Sequence, residues 1–143
     1  MQKNHFLAVI AIAIFTLTIA SCKKEVVLTP KELLTAGSWK LIAETDNGVD
    51  AYSSKAACEK DNFETYTTAG KYIVDEGATK CSAADPQTDG GDYTLSGDNK
   101  TITLKDPTIG FSLDFTILEL TATTFKTQVN FLGTLTVQTY AKK

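Results

Sequence analysis

Arginine is absent from this chain, and all 14 of its basic residues are lysines. The single histidine is His5 and the single methionine is Met1, so the body of the chain has neither an imidazole nor a thioether. These gaps exclude whole classes of function. Without histidine no Ser-His or Cys-His nucleophile pair can form and no imidazole can ligate zinc. Without arginine there is no guanidinium fork for phosphates or base edges, and a formal charge of −3 supplies no basic stripe for nucleic acid. Carboxylates do not fill the gap, since the neighbours Asp75 and Glu76 would point to opposite faces of a strand. Asp85, Asp89 and Asp92, spaced by Gly90 and Gly91, match no EF-hand loop and read as a solvated turn. We therefore assign no catalytic residue, no metal ligand and no cofactor, and expect no enzyme. Apolar residues at helical spacing are missing after Leu34, whereas Thr, Val, Ile, Phe and Tyr dominate from Phe63 onward. That composition reads as all-β.

The one long apolar run is at the start. Phe6 to Ile19 is too short to span a bilayer comfortably and suits a signal-peptide core. Ile19-Ala-Ser-Cys22 follows it and resembles the lipobox of bacterial lipoproteins, in which small residues precede a cysteine that is lipidated on sulfur. The resemblance implies a signal peptide over 1–21, acylation of Cys22 with palmitate-type chains, and a linker over 22–28. The expected location is the cell envelope, on the outer membrane, with its periplasmic and surface faces both open. Loss of 1–21 removes His5 and Met1, and loss of Lys3 takes the charge from −3 to −4. Acyl chains contribute roughly 0.8 kcal/mol per buried methylene, enough to anchor a protein that has no transmembrane helix.

The domain, 29–143, opens on a helix signal. Thr29-Pro-Lys-Glu32 forms a capping box with proline at the first helical position, and Gly37 suits the turn that ends it. Trp39, Leu41 and Ala43 then alternate with Ser38, Lys40 and Ile42, which predicts a strand with the first set inward. Eight strands are expected: Ser38–Thr45, Asn62–Thr67, Lys71–Asp75, Gly91–Ser96, Thr101–Lys105, Phe111–Leu120, Thr123–Phe131 and Thr134–Lys142. The phase slip at Leu118-Glu-Leu120 suggests a bulge. Most connections are of hairpin length, which forces an antiparallel meander. An eight-stranded up-and-down barrel with the short N-terminal helix closing one end fits this order, with a sandwich as the alternative. The two long loops, Asp46 to Asp61 and Glu76 to Gly90, fall at the other end of such a barrel. Each holds one cysteine, and in an exported chain Cys58 and Cys81 read as a disulfide.

Gly37-Ser-Trp39, Cys58-Glu-Lys-Asp61 before Phe63, Cys81, and Tyr93-Thr-Leu-Ser-Gly-Asp98 together resemble the lipocalin-like domains of exported Gram-negative lipoproteins. The resemblance implies a barrel for small apolar molecules. Lipocalins usually set an arginine from the last strand against the tryptophan; here Lys142 or Tyr140 is expected to take that place. The expected inward aromatics are Trp39, Phe63, Tyr72, Tyr93, Phe111, Phe115, Phe125 and Phe131. Tyr72, Val74, Phe111, Leu113, Val129 and Phe131 should line the mouth, with Tyr52 folding over it, either as a ligand pocket or as plain core. Two functions follow: a membrane-anchored carrier of a small apolar molecule, or a protein-binding or inhibitor module that uses the disulfide-linked rim loops. The protein partner in the second case is not specified. The linker reaches at most about 20 Å, so the plugged end should face the membrane.

Overall fold

The computed structural model describes residues 27–106 and 110–143; the predicted signal peptide, Cys22 and all but the end of the linker lie outside the described residues. The helix α1 (Pro30–Thr35) starts as its capping box dictates, with the Thr29 N–H donating to Glu32 Oε2 at 2.7 Å and the Glu32 N–H donating to Thr29 Oγ1 at 3.3 Å. The Thr29 N–H and hydroxyl, both donating to Glu32 Oε2, lower the pKa of that carboxyl.

Nine strands follow: β1 (Ser38–Asp46), β2 (Val49–Asp50), β3 (Phe63–Tyr66), β4 (Lys71–Asp75), β5 (Thr88–Leu95), β6 (Thr101–Lys105), β7 (Ser112–Leu120), β8 (Thr124–Phe131) and β9 (Thr134–Lys142). All pairings are antiparallel, β1 and β3 to β9 pair next-to-next, and β9 returns to β1. The result is an eight-stranded closed barrel, since β2 is only a two-residue return on the far end of β1. At the end where β1 meets both β3 and β9, closure leaves no free edge. A second short helix, α2 (Ala57–Lys60), carries Cys58, which is bonded to Cys81 with the Cα atoms 5.2 Å apart. Both cysteines lie in the long loops at one end, and α1 lies at the other.

The core sits at the helical end. Trp39 and Leu34 are fully buried, and the indole N–H of Trp39 donates to the Leu34 carbonyl at 2.9 Å, so the helix is bolted to the first strand as a floor. Phe125 packs against Trp39 and stacks on Tyr140, while Tyr66 meets Phe125 and Tyr93 edge-on. Lys142, paired across the ladder with Trp39, lays its ammonium 5.9 Å from the indole centre. Lysine thus occupies the place expected for arginine or its substitute, while Tyr140 serves the core one layer up.

The structure corrects the strand phases at two places. The β1–β9 register shifts between Leu41 and Ala43, so Ile42 is an extra residue; Ala43 is exposed and Glu44 turns inward. A bulge reverses the alternation beyond it, which a strict period of two cannot register. In β3 the inward residues are Glu64 and Tyr66, whereas Phe63 faces outward beneath the Lys143 ammonium, 3.4 Å from its ring centre. The expected bulge in β7 is present, with the β7–β8 register shifting between Ile117 and Glu119. β5 begins at Thr88 rather than Gly91, because Gly90 presses its backbone onto β4; a Cβ there would lie 2.1 Å from the Tyr72 carbonyl oxygen.

The floor generates a stability test. Trp39→Phe keeps an aromatic ring but leaves the buried Leu34 carbonyl unpaired, and should cost about 2–3 kcal/mol in urea unfolding. Lys142→Ala should cost about 1 kcal/mol through the lost stem and cation–π contact. Unchanged unfolding midpoints would show that neither residue holds the floor.

Candidate functional site

Above the aromatic floor the barrel is not filled. A cavity of about 280 Å³ is walled by Ile102, Leu104, Leu113, Phe115 and Phe125 on its apolar side, and by Glu64, Tyr66, Thr127, Thr136, Gln138 and Tyr140 on its polar side. A second lobe of about 190 Å³ adjoins it through the shared residues Glu64, Gln138 and Tyr140. This lobe exists because β1 pairs with β3 only at Ser38 and Trp39, then parts from it. The first long loop covers the gap, contributing Lys55, Glu59 and Asn62 to the wall.

A hydrogen-bonded chain crosses the junction of the lobes. Lys55 Nζ lies 2.8 Å from Glu44 Oε1, and Gln138 Nε2 donates to Glu44 Oε2 at 2.8 Å. The Tyr66 hydroxyl donates to Glu64 Oε2 at 2.8 Å. Tyr140 Oη lies 3.0 Å from Glu64 Oε1 and 3.1 Å from Gln138 Oε1, yet a phenol has one hydrogen to give. Glu44, paired with Lys55, can only accept, so Gln138 turns its amide N–H groups to Glu44 and its oxygen to Tyr140. Tyr140 must then donate to Gln138. Both contacts of Tyr140 are hydrogen bonds when Glu64 carries a proton and donates it to Tyr140.

Burial agrees with this assignment. Desolvation raises the Glu64 carboxyl above 4.5 against the opposing pull of the Tyr66 and Tyr140 bonds. The side chain is half-buried and lines both lobes. Burial and the neighbouring Glu64 hold the Tyr66 and Tyr140 phenols well above 10. Thr127 also faces the larger lobe; only 3% of its surface is exposed, and its hydroxyl makes no hydrogen bond among the described residues.

The residues expected at the mouth divide among several places. Leu113, Val129 and Phe131 line the larger lobe, and Val74 lines the smaller one. Phe111 meets Phe131 edge-on at 5.9 Å, both about half exposed at the rim. Tyr72 packs against the core. Tyr52 lines neither lobe; the Lys60 ammonium sits 5.2 Å from its ring, and the loop reaches the cavity through Lys55 instead. Of the acidic trio, Asp92 pairs with Lys71 and Asp89 accepts from the Gly90 N–H. Asp61 of the Cys-Glu-Lys-Asp segment accepts from the N–H groups of Ala78 and Thr79, tying the two long loops together beside the disulfide.

Sequence reasoning missed Glu44, Glu64, Thr127 and Gln138. Glu44 was hidden by the bulge at Ile42. Glu64 shares its strand face with Tyr66, and that parity was the available signal.

A family model described as "Lipocalin-like domain" matches residues 35–127, well over half of the chain. The match stops short of β9, which closes the barrel on β1 and supplies Gln138 and Tyr140 to the site. No curated protein and no solved structure matches the chain at a significant level.

The network generates a pH test. A carboxyl whose folded pKa is raised stabilises fully below the unfolded value, and that contribution is lost as pH rises through the folded value. Glu64 should therefore add stability below 4.5 that fades as pH climbs above it. Glu64→Gln mimics the protonated acid and should gain on the wild type progressively as pH rises above 4.5, read as urea midpoints. A constant gap between the two proteins across that range would contradict the protonated assignment.

Proposed function

Because the chain belongs to the lipocalin-like domain family, we propose that it is a non-enzymatic binding protein whose barrel holds one small, mainly apolar molecule. The observation that carries this reading is the two-lobed cavity, walled on one side by Ile102, Leu104, Leu113 and Phe115 and set above an aromatic floor. Small-molecule sites typically occupy about 300–1,000 Å³ and combine apolar walls with a few convergent polar groups. At about 280 Å³ the larger lobe sits at the small end, which favours a short ligand.

Anchoring through Cys22 is the second part of the proposal, and it rests on the lipobox resemblance in the sequence. A protein tethered through residues ahead of α1 would turn its floor toward the membrane and its disulfide-linked rim away. The outer membrane is the proposed location.

A second reading has an observation of its own. Val49 and Leu132 are 70% and 90% exposed at the rim, next to the half-exposed Phe111 and Phe131. Exposed apolar groups beside long loops suit a protein partner. The cavity favours the carrier as the leading function.

Two experiments test the proposal. Native mass spectrometry of protein taken from its own membrane should find a co-purifying small molecule, and Leu113→Trp, which fills the larger lobe, should weaken binding of an apolar dye at least tenfold while changing stability by only about 1–2 kcal/mol. Equal dye affinity in that variant would place binding outside the barrel. Cys22→Ser should move the protein from the membrane to the soluble fraction; a variant that stays with the membrane would refute the anchor.

A further inference from the structure

We propose that the molecule in the barrel carries an ammonium head, which docks on Glu64, Tyr140 and Thr127 and sends one proton from Glu64 into solvent. This rests on the reading of the barrel as a small-molecule site and names the chemistry of its occupant.

Most hydrogens on the polar wall are already committed. The Tyr66 hydrogen goes to Glu64, the Tyr140 hydrogen to Gln138, an amide hydrogen of Gln138 to Glu44, and the Thr136 hydroxyl donates to Asp46 at 2.6 Å. The polar wall is left rich in acceptors and poor in donors. Two donors are uncommitted, the second amide hydrogen of Gln138 and the Thr127 hydroxyl, the latter in a side chain almost wholly buried on the cavity wall. A ligand whose head only accepts hydrogen bonds finds two neutral partners there and no cation in the larger lobe. A head that donates finds the Glu64 carboxyl, the Tyr140 oxygen and the Thr127 oxygen on one wall, and an ammonium has three hydrogens to give.

Charge points the same way. The smaller lobe is lined by the carboxyls of Glu44, Glu59 and Glu64 against the one ammonium of Lys55, which is engaged by Glu44. An anionic head would meet Glu64 without a compensating cation, while a cationic head supplies the countercharge that burial denies it. On binding, the Glu64 O–H bond breaks, the proton leaves to solvent, and the carboxylate accepts an N–H bond from the ammonium. The ammonium also donates to Tyr140 Oη, so that Tyr140 keeps its bond to Gln138. The apolar body then lies against Ile102, Leu104, Leu113 and Phe115.

The ionisable groups facing Glu64 are Glu44 from β1, Lys55 from the first long loop, Glu59 from α2, Tyr66 from β3, Tyr72 from β4 and Tyr140 from β9. Lys55 and Glu44 offset each other, Glu59 accepts from the Ala56 N–H, and burial keeps the three phenols neutral. Glu64 is the group left to couple binding to pH.

Calorimetric titration of the full chain bearing Cys22→Ser with octylammonium, octanol and octanoate tests the proposal. Octylammonium should bind at least tenfold more tightly than octanol, with octanoate weakest. Its affinity should rise with pH through the titration of Glu64, with one proton released per ligand, as measured in buffers of different ionisation enthalpy. Glu64→Gln should remove the preference for octylammonium over octanol, and Thr127→Val should weaken octylammonium several-fold while proton release persists. Octanol binding as tightly as octylammonium, octanoate binding better than either, or Glu64→Gln keeping the preference would overturn the ammonium assignment and leave the carrier reading standing. Failure of all three probes to bind would overturn both.

Discussion

One extra residue in the seam of the barrel decides what the interior is. Up to Leu41, β1 sends apolar side chains inward, and Trp39 locks onto the α1 carbonyl below it. At Ile42 the β1–β9 ladder takes up an unmatched residue, and beyond it Glu44 faces the lumen instead of solvent. In an unbulged strand Ala43 and Thr45 would face inward and Glu44 would face solvent. With the extra residue, a carboxylate enters the barrel, and Lys55, Gln138, Tyr140, Glu64 and Tyr66 are arranged around it in turn. Buried polar groups are costly unless fully bonded, so the network has little freedom of arrangement once Glu44 is inside.

The two ends of the barrel divide the work. The lower end is dense: a capped helix, an indole pinned at both its N–H and its face, and aromatic rings in mutual contact. At the upper end β1 and β3 separate, and the gap is closed by a loop held through a disulfide, the Asp61 bonds to Ala78 and Thr79, and the Lys55–Glu44 ion pair. Gly77 belongs to the same clasp, since its positive φ of 68° brings it against the Asp61 carbonyl where a Cβ would clash. The loops therefore form a fixed wall of the second lobe. The floor supplies stability, and the wall supplies polarity.

The barrel was legible in the sequence because its signals are local. Turn residues at hairpin spacing, period-two runs in β6 to β9, and the capping box at Thr29 each specify their own segment, and Cys58 and Cys81 fall at one end only if the strand order is right. The interior was legible in part. Leu113, Val129, Phe131 and Val74 were placed on the cavity side by alternation alone. Glu44 was not, because the β1 bulge falls in the unbroken apolar run Leu41-Ile-Ala43, which shows no phase slip of the kind that marked the bulge at Leu118. Phe63 misled for a related reason: with Glu64 and Tyr66 on the other face of β3, apolarity ranked the wrong side as inward, and the real inner face is polar because a network satisfies it. Tyr52, expected over the mouth, lines neither lobe and has the Lys60 ammonium 5.2 Å from its ring centre.

The central claim is that the occupied space is the lumen above the floor. Intermolecular nuclear Overhauser contacts from bound octylammonium, collected on methyl-labelled protein, test it most directly. Cross-peaks to the methyls of Ile102, Leu104 and Leu113 are the predicted result. Cross-peaks confined to the rim methyls of Val49, Leu132 and Leu135 would contradict the account and move the function to the outer surface of the loops.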